Sequence, residues 1–194
     1  MEGTASRKGR QFRIKMIKVQ GRLFRIDMEI DGNSGYTIVT EKAGWNYSVR
    51  DSYVAEEIPR NKLEALKNEL DIAGPLINYR SKGYKATLLG KEILSERECY
   101  KIVLTSMQGK ESFHFIDCTS YLLLQSRTKI ESQGKVYGNS PESITWFRDY
   151  KISDGVLFPQ MITTEGFGIA AATMLFHSIK VNVAVDEKLY APGQ

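Results

Sequence analysis

From Phe24 to Ile30 the chain alternates without a break. Phe24, Ile26, Met28 and Ile30 are apolar, and Arg25, Asp27 and Glu29 between them are charged. A period of two places the two sets on opposite faces of a half-buried strand. The same reading gives strands over 11–19, 22–30, 35–41, 44–50, 84–90, 98–107, 110–117, 120–130, 142–151, 155–164 and 172–183. Turn chemistry separates them: Gln20-Gly21, Asp31-Gly32-Asn33, Ala43-Gly44, Gln108-Gly109, Asp154-Gly155 and Gly166-Phe167-Gly168. About eleven strands, mostly joined as hairpins, predict a mainly β fold built on a curved antiparallel sheet. Ser132 to Pro141 reads as a mobile excursion between strands.

The pattern changes once, between Pro59 and Tyr79. Leu63, Leu66 and Leu70 fall on one face of a helix beginning at Asn61, while Lys62, Lys67 and Glu69 point to water. Asn61 has the chemistry of an N-cap and Glu64 that of its capping-box partner. Gly74-Pro75 ends the element, and Leu76-Ile77 begins a second short turn. So short a helix is marginal alone and must dock by its leucine stripe, here on the concave side of the sheet.

Composition narrows the class without naming it. The chain of 194 residues is 42% hydrophobic and 26% charged, ordinary for one globular domain over 1–194. Its longest apolar run, Ile169 to Phe176, is far shorter than a membrane-spanning helix. No secretory h-region follows Met1, so the chain is expected either to be cytoplasmic or to stand without its export signal. The formal charge is +4, with Arg7, Lys8, Arg10, Arg13, Lys15, Lys18, Arg22 and Arg25 crowded at the front. Because Arg13 and Lys15 alternate with Phe12, Ile14 and Met16, they read as the wet side of a strand rather than a nucleic-acid patch. Attraction to acidic head groups is the alternative.

A two-residue turn at Gln108-Gly109 would pair Val103 with His114 and set Cys99 opposite Cys118. That register admits either a disulfide or two reduced, half-buried thiols. It also sets Leu104 opposite Phe113 and Ile102 opposite Phe115, all four on one side of the hairpin. Trp45, Tyr47, Leu122, Leu124, Trp146 and Phe158 would extend the surface. Two readings stand beside each other: an ordinary core sealed by the helix, or an apolar hollow lined by Leu63, Leu66, Phe113, Phe115 and Trp146.

Signals for catalysis are weak. Gly166-Phe167-Gly168-Ile169-Ala170-Ala171 matches a dinucleotide fingerprint by letter, with Asp186 downstream. The segment after it alternates with period two instead of forming a helix, so it reads as a hairpin loop. His114 and His177 lie in strands without metal-ligand spacing, no G-x-S-x-G elbow is present, and Asp117, Asp149 and Asp154 sit where aspartates serve turns. Asn46-Tyr47-Ser48 is a formal glycosylation sequon, but it lies on a strand. No catalytic residue, metal or cofactor is expected.

From Gly74 onward the chain resembles the LolA-like outer-membrane lipoprotein-sorting proteins of Gram-negative bacteria, particularly their Bacteroidetes branch. The resembling stretches are Ala73-Gly74-Pro75-Leu76-Ile77-Asn78-Tyr79, Leu89-Gly90-Lys91-Glu92, Cys99-Tyr100-Lys101-Ile102 and Phe115-Ile116-Asp117. They continue through Asp149-Tyr150-Lys151 with Asp154-Gly155 and Pro159, then Ile179-Lys180-Val181-Asn182 with Asp186 and Leu189-Tyr190. The resemblance implies an unclosed barrel with a helical lid, a periplasmic location, and carriage of lipids or lipoproteins by their acyl chains. The chain departs from the family at its front, where the amphipathic helix and first strand are absent or truncated. Val19 stands where an arginine would latch the lid, and Thr40-Glu41-Lys42 stands where the family shows an Asp-Gly-Lys turn before Trp45.

The expected function is therefore a periplasmic, non-enzymatic carrier of lipid or lipoprotein acyl chains. The alternative is a protein-interaction or envelope-sensing module on the same fold. Expected partners are acyl chains, envelope proteins and, peripherally, the membrane surface, but not nucleic acid.

Overall fold

The computed structural model describes residues 1–49, 52–129, 142–166 and 169–193. Among the described residues there are thirteen strands: β1 (Glu2–Arg7), β2 (Arg10–Val19), β3 (Leu23–Ile30), β4 (Asn33–Thr40), β5 (Gly44–Ser48), β6 (Ser52–Glu57), β7 (Lys85–Leu94), β8 (Arg97–Thr105), β9 (Glu111–Asp117), β10 (Leu123–Lys129), β11 (Glu142–Ser153), β12 (Val156–Gly166) and β13 (Ile169–Ser178). Hydrogen bonding orders them β6-β5-β4-β3-β2-β1-β13-β12-β11-β10-β9-β8-β7. The order is linear, with β6 and β7 at its two ends, so the sheet is not closed into a barrel. This is the mainly β, antiparallel architecture that the alternation predicts, left unclosed as the resemblance implies.

Two strands escape the sequence reading. β1, Glu-Gly-Thr-Ala-Ser-Arg, buries only Ala5 fully, so its small residues carry no apolar alternation. β6 follows β5 after Val49 and two residues that lie outside the described ones. β13 stops at Ser178 rather than 183, because the Val181 N–H donates to the Asp154 carboxylate at 2.9 Å instead of to a strand. The Ser132–Pro141 excursion and positions 167–168 of the Gly166-Phe167-Gly168 loop also lie outside the described residues.

The chain forms two compact units. The first comprises Met1–Gly74, Ile152–Val156 and Leu175–Gln194. Here a cross-strand row runs Lys18, Phe24, Val39, Gly44 over β2 to β5. The helix α1 (Arg60–Leu66) continues as a 3₁₀ turn, Lys67–Leu70, and buries Leu63 and Leu70. Leu63 and Ile58 close over Gly44, where a Cβ would stand 2.8 Å from Leu63 Cδ1 and 3.1 Å from Ile58 Cδ1. Glycine is what lets the helix approach. Lys18 donates to Glu69 at 2.9 Å, and the Gly21 N–H donates to the Leu70 carbonyl at 2.9 Å, tying the far end down. Burial of each leucine stabilises the dock by roughly 1.5–3 kcal/mol.

The expected capping box does not form. Pro59 occupies the N-cap position with no side-chain hydrogen bond, and its carbonyl accepts from Lys62 and Leu63. Asn61 is thus already inside the first turn, and Glu64 accepts from Lys67 at 2.8 Å instead. On the other face of the same strands, a second 3₁₀ turn, Glu187–Tyr190, is started by Asp186 accepting from the Lys188 N–H at 2.9 Å. Arg25 reaches it, donating to the Leu189 carbonyl at 3.3 Å.

The second unit comprises Pro75–Lys151 and Leu157–Met174, and contains the cysteine hairpin. Its turn corrects the sequence reading. Ser106 and Lys110 form the last pair, the Gly109 N–H donates to the Ser106 carbonyl at 2.9 Å, and Gly109 adopts φ +77°. This is a three-residue loop ending in a left-handed glycine. One extra loop residue slips the register by one and sends every side chain past its expected partner. Cys99 therefore faces Asp117, Val103 faces Phe113, Lys101 faces Phe115 and Ile102 faces His114. Cys99 and Cys118 are both free thiols, and they are not cross-strand neighbours.

Candidate functional site

The slipped register decides what the second unit's strands present. Phe113 and Phe115 share a face with Cys99, Lys101 and Val103, while Ile102 and Leu104 lie on the opposite face with His114. The expected quartet is thereby split. A row then runs Lys101, Phe115, Gln125, Trp146 from β8 to β11. Leu94, Cys99 and Phe115 are buried together, with Phe113, Leu124 and Trp146 packed against them.

Of the five predicted site residues, the structure brings Phe113, Phe115 and Trp146 into this cluster. Leu63 and Leu66 belong to the first unit, where Leu63 is buried and Leu66 half-buried. Trp45 and Tyr47 are also in the first unit, and Leu122, Leu124 and Phe158 in the second.

Sequence reasoning missed the cations of the cluster. Lys101 Nζ lies 5.8 Å from the Phe113 ring and 5.6 Å from the Phe115 ring. The Arg127 guanidinium sits 4.6 Å over Phe115, and that of Arg148 sits 4.8 Å over Trp146. Lys101 is neutralised by Glu92 at 2.7 Å, Arg127 donates to the Gln125 amide oxygen at 2.6 Å, and the Trp146 indole donates to Glu165 at 3.1 Å. Cation–ring contacts of this kind hold an aromatic wall under a charged rim. Arg148, two residues from Trp146 on one strand, was legible in the sequence, whereas Lys101 and Arg127 reach their rings across strand pairs and needed the register to be read.

The first unit carries an open groove of about 560 Å³ lined in part by Arg13, Lys15, Arg25, Asp27, Tyr36 and Tyr47. Charged side chains line it, but most of the surface it exposes is apolar. Arg25 is paired with Asp27 at 2.7 Å, Lys15 lies 3.8 Å from Glu2, and Tyr36 stacks on Tyr47 with ring centres 5.0 Å apart. Burial pushes the Tyr36 hydroxyl above its ordinary range, against the opposing pull of Arg25.

The nearest approach to a nucleophile–base pair is Ser112 Oγ, 3.0 Å from His114 Nε2. Its chemistry is poor. Burial pushes the imidazole down to about 4, and Nδ1 has no hydrogen-bond partner to orient it. Among the described residues His177 meets only Thr4 Oγ1, at 3.5 Å. Among the described residues, no three His, Cys, Asp or Glu side chains are grouped to hold a metal, and no helix is long and apolar enough to cross a membrane.

No protein-family model matches the chain, and no curated protein sequence matches it. Solved structures do. A LolA superfamily protein from Nitrosomonas europaea aligns with TM-score 0.65 at 9% identity, covering 98% of this chain and 87% of that one. A putative outer membrane lipoprotein-sorting protein domain from Vibrio parahaemolyticus aligns with TM-score 0.59 at 13% identity, covering 97% and 88%. A DUF1329 family protein from Desulfovibrio piger gives TM-score 0.59 at 15% identity, covering 98% and 88%. At such identities the likeness is one of backbone, and it agrees with the strand order above: the chain has a LolA-like fold.

Proposed function

We propose that this protein is a periplasmic carrier that binds lipid or lipoprotein acyl chains without covalent chemistry. The observation that carries the reading is the LolA-like backbone over nearly the whole chain, shared with a putative lipoprotein-sorting domain. The side chains proposed to desolvate the acyl chain are Phe113, Phe115 and Trp146, which the second unit groups in one cluster. Each methylene moved from water onto such surfaces contributes about 0.8 kcal/mol.

Mass spectrometry of organic extracts and titration with a fluorescent fatty acid test the reading. Trp146 is half-buried, so Trp146→Glu places a carboxylate at the cluster while disturbing packing less than a change at buried Phe115. The parent should bind the probe, and a Trp146→Glu variant with an unchanged circular dichroism spectrum should bind it at least tenfold more weakly, about 1.4 kcal/mol. A parent without detectable binding removes the carrier reading. The second reading is an interaction module, favoured by the exposed apolar residues of β7.

A further inference from the structure

Strand β7 ends the sheet order, and among the described residues it pairs only with β8. The free N–H and C=O groups of an open edge template another strand, and the charges of β7, Lys85, Lys91 and Glu92, flank an apolar centre instead of covering it. Here Leu88 is 59% exposed, Leu89 53% and Ile93 67%. The one irregularity is a bulge: Leu88 faces Ile102 and Gly90 faces Lys101, leaving Leu89 as the extra residue.

We propose that β7 is a self-association edge, pairing antiparallel with β7 of a second copy about a two-fold axis between Leu88 and Leu89. In a regular strand, alternate residues turn their backbone groups to the same edge. The extra residue at Leu89 shifts this alternation by one, so the outward groups before and after it fall on positions of opposite parity. A two-fold pairing can match them only if its axis falls between two residues, not on one. With the axis between Leu88 and Leu89, Leu88 meets Leu89 of the second copy, Thr87 meets Gly90, Ala86 meets Lys91 and Lys85 meets Glu92.

Charge selects this register. Lys85 and Glu92 meet twice by symmetry, and no like charges stand opposite each other. They also share a face, since Lys85 faces Thr105 and Glu92 faces Cys99, both on one side of β8. Moving the axis on by one, between Leu89 and Gly90, would set Lys85 against Leu94 and Leu88 against Lys91, losing both charge pairs and opposing a leucine with an ammonium. Glu92, already 2.7 Å from Lys101, would lie between two ammonium groups in the dimer. The arrangement is isologous, as a closed dimer requires.

Sedimentation velocity over a range of protein concentrations tests this, independently of any lipid. The parent should show a monomer–dimer equilibrium. Leu89→Arg, at an exposed position, should leave the circular dichroism spectrum unchanged and abolish the dimer. Lys85→Glu and Glu92→Lys should each weaken association by about tenfold, and the double exchange should recover affinity over either single change. A parent that stays monomeric into the millimolar range overturns the proposal, as does a dimer indifferent to Leu89→Arg. Failure of the charge exchange to recover affinity overturns the register.

Discussion

His114 makes the stability of the second unit depend on pH in a way that one substitution isolates. The residue is buried on the face it shares with Ile102, donates to or accepts from only Ser112, and leaves Nδ1 without a partner. Desolvation pushes its pKa down from 6.5 to about 4. A depressed histidine means that the unfolded chain binds the proton more readily than the folded one. The stability is then fully present above pH 6.5 and is lost as pH falls toward 4. At about 1.4 kcal/mol per pH unit, about 3 kcal/mol is gone by pH 3, and about 2 kcal/mol of it by pH 4.5. His114→Leu removes the titrating group and the unpaired nitrogen while keeping an apolar filler, so its stability should lack this component. Urea unfolding of both proteins, followed by far-ultraviolet circular dichroism at pH 7.0 and 4.5, measures the difference with other titrating groups held in common. The parent should lose about 2 kcal/mol more than the variant across that interval. Equal losses in the two proteins would refute the claim that this imidazole is held neutral by burial.

Two other perturbations probe the packing and the register. Gly44→Ala should destabilise the first unit by about 1–3 kcal/mol in urea unfolding, because the added Cβ would lie within 2.8 Å of Leu63, 3.0 Å of the Ile38 carbonyl and 3.1 Å of Ile58. A neutral result would mean the helix can retreat at no cost. Titration of the denatured, unreduced protein should find two free thiols per chain, since Cys99 faces Asp117 rather than Cys118. A count of zero in monomeric protein would show that the hairpin adopts the other register.

The sequence by itself determined the fold class and most of its parts. Alternation such as Phe24-Arg25-Ile26-Asp27-Met28 is a local consequence of a sheet with one face in contact and the other wet, so it survives without any knowledge of neighbours. Hairpins such as Asp31-Gly32 and Asp154-Gly155 were legible for the same reason: both residues of each pair take positive φ, which these types tolerate. The leucine stripe at Leu63, Leu66 and Leu70 likewise foretold the docking face of the helix, with Leu63 and Leu70 buried and Leu66 half-buried. What sequence could not supply was anything settled by pairing. One extra residue in the Gln108-Gly109 loop moved Phe115 from Ile102 to Lys101, separated the cysteines, and put the Lys101 ammonium beside the two phenylalanine rings. β1 remained hidden because its small side chains make room for a neighbouring strand: a Cβ on Gly3 would collide with the Leu175 carbonyl. Local propensity is read within a few residues, whereas register and close backbone approach are fixed by segments far apart in the chain. Only the folded sheet brings those segments together.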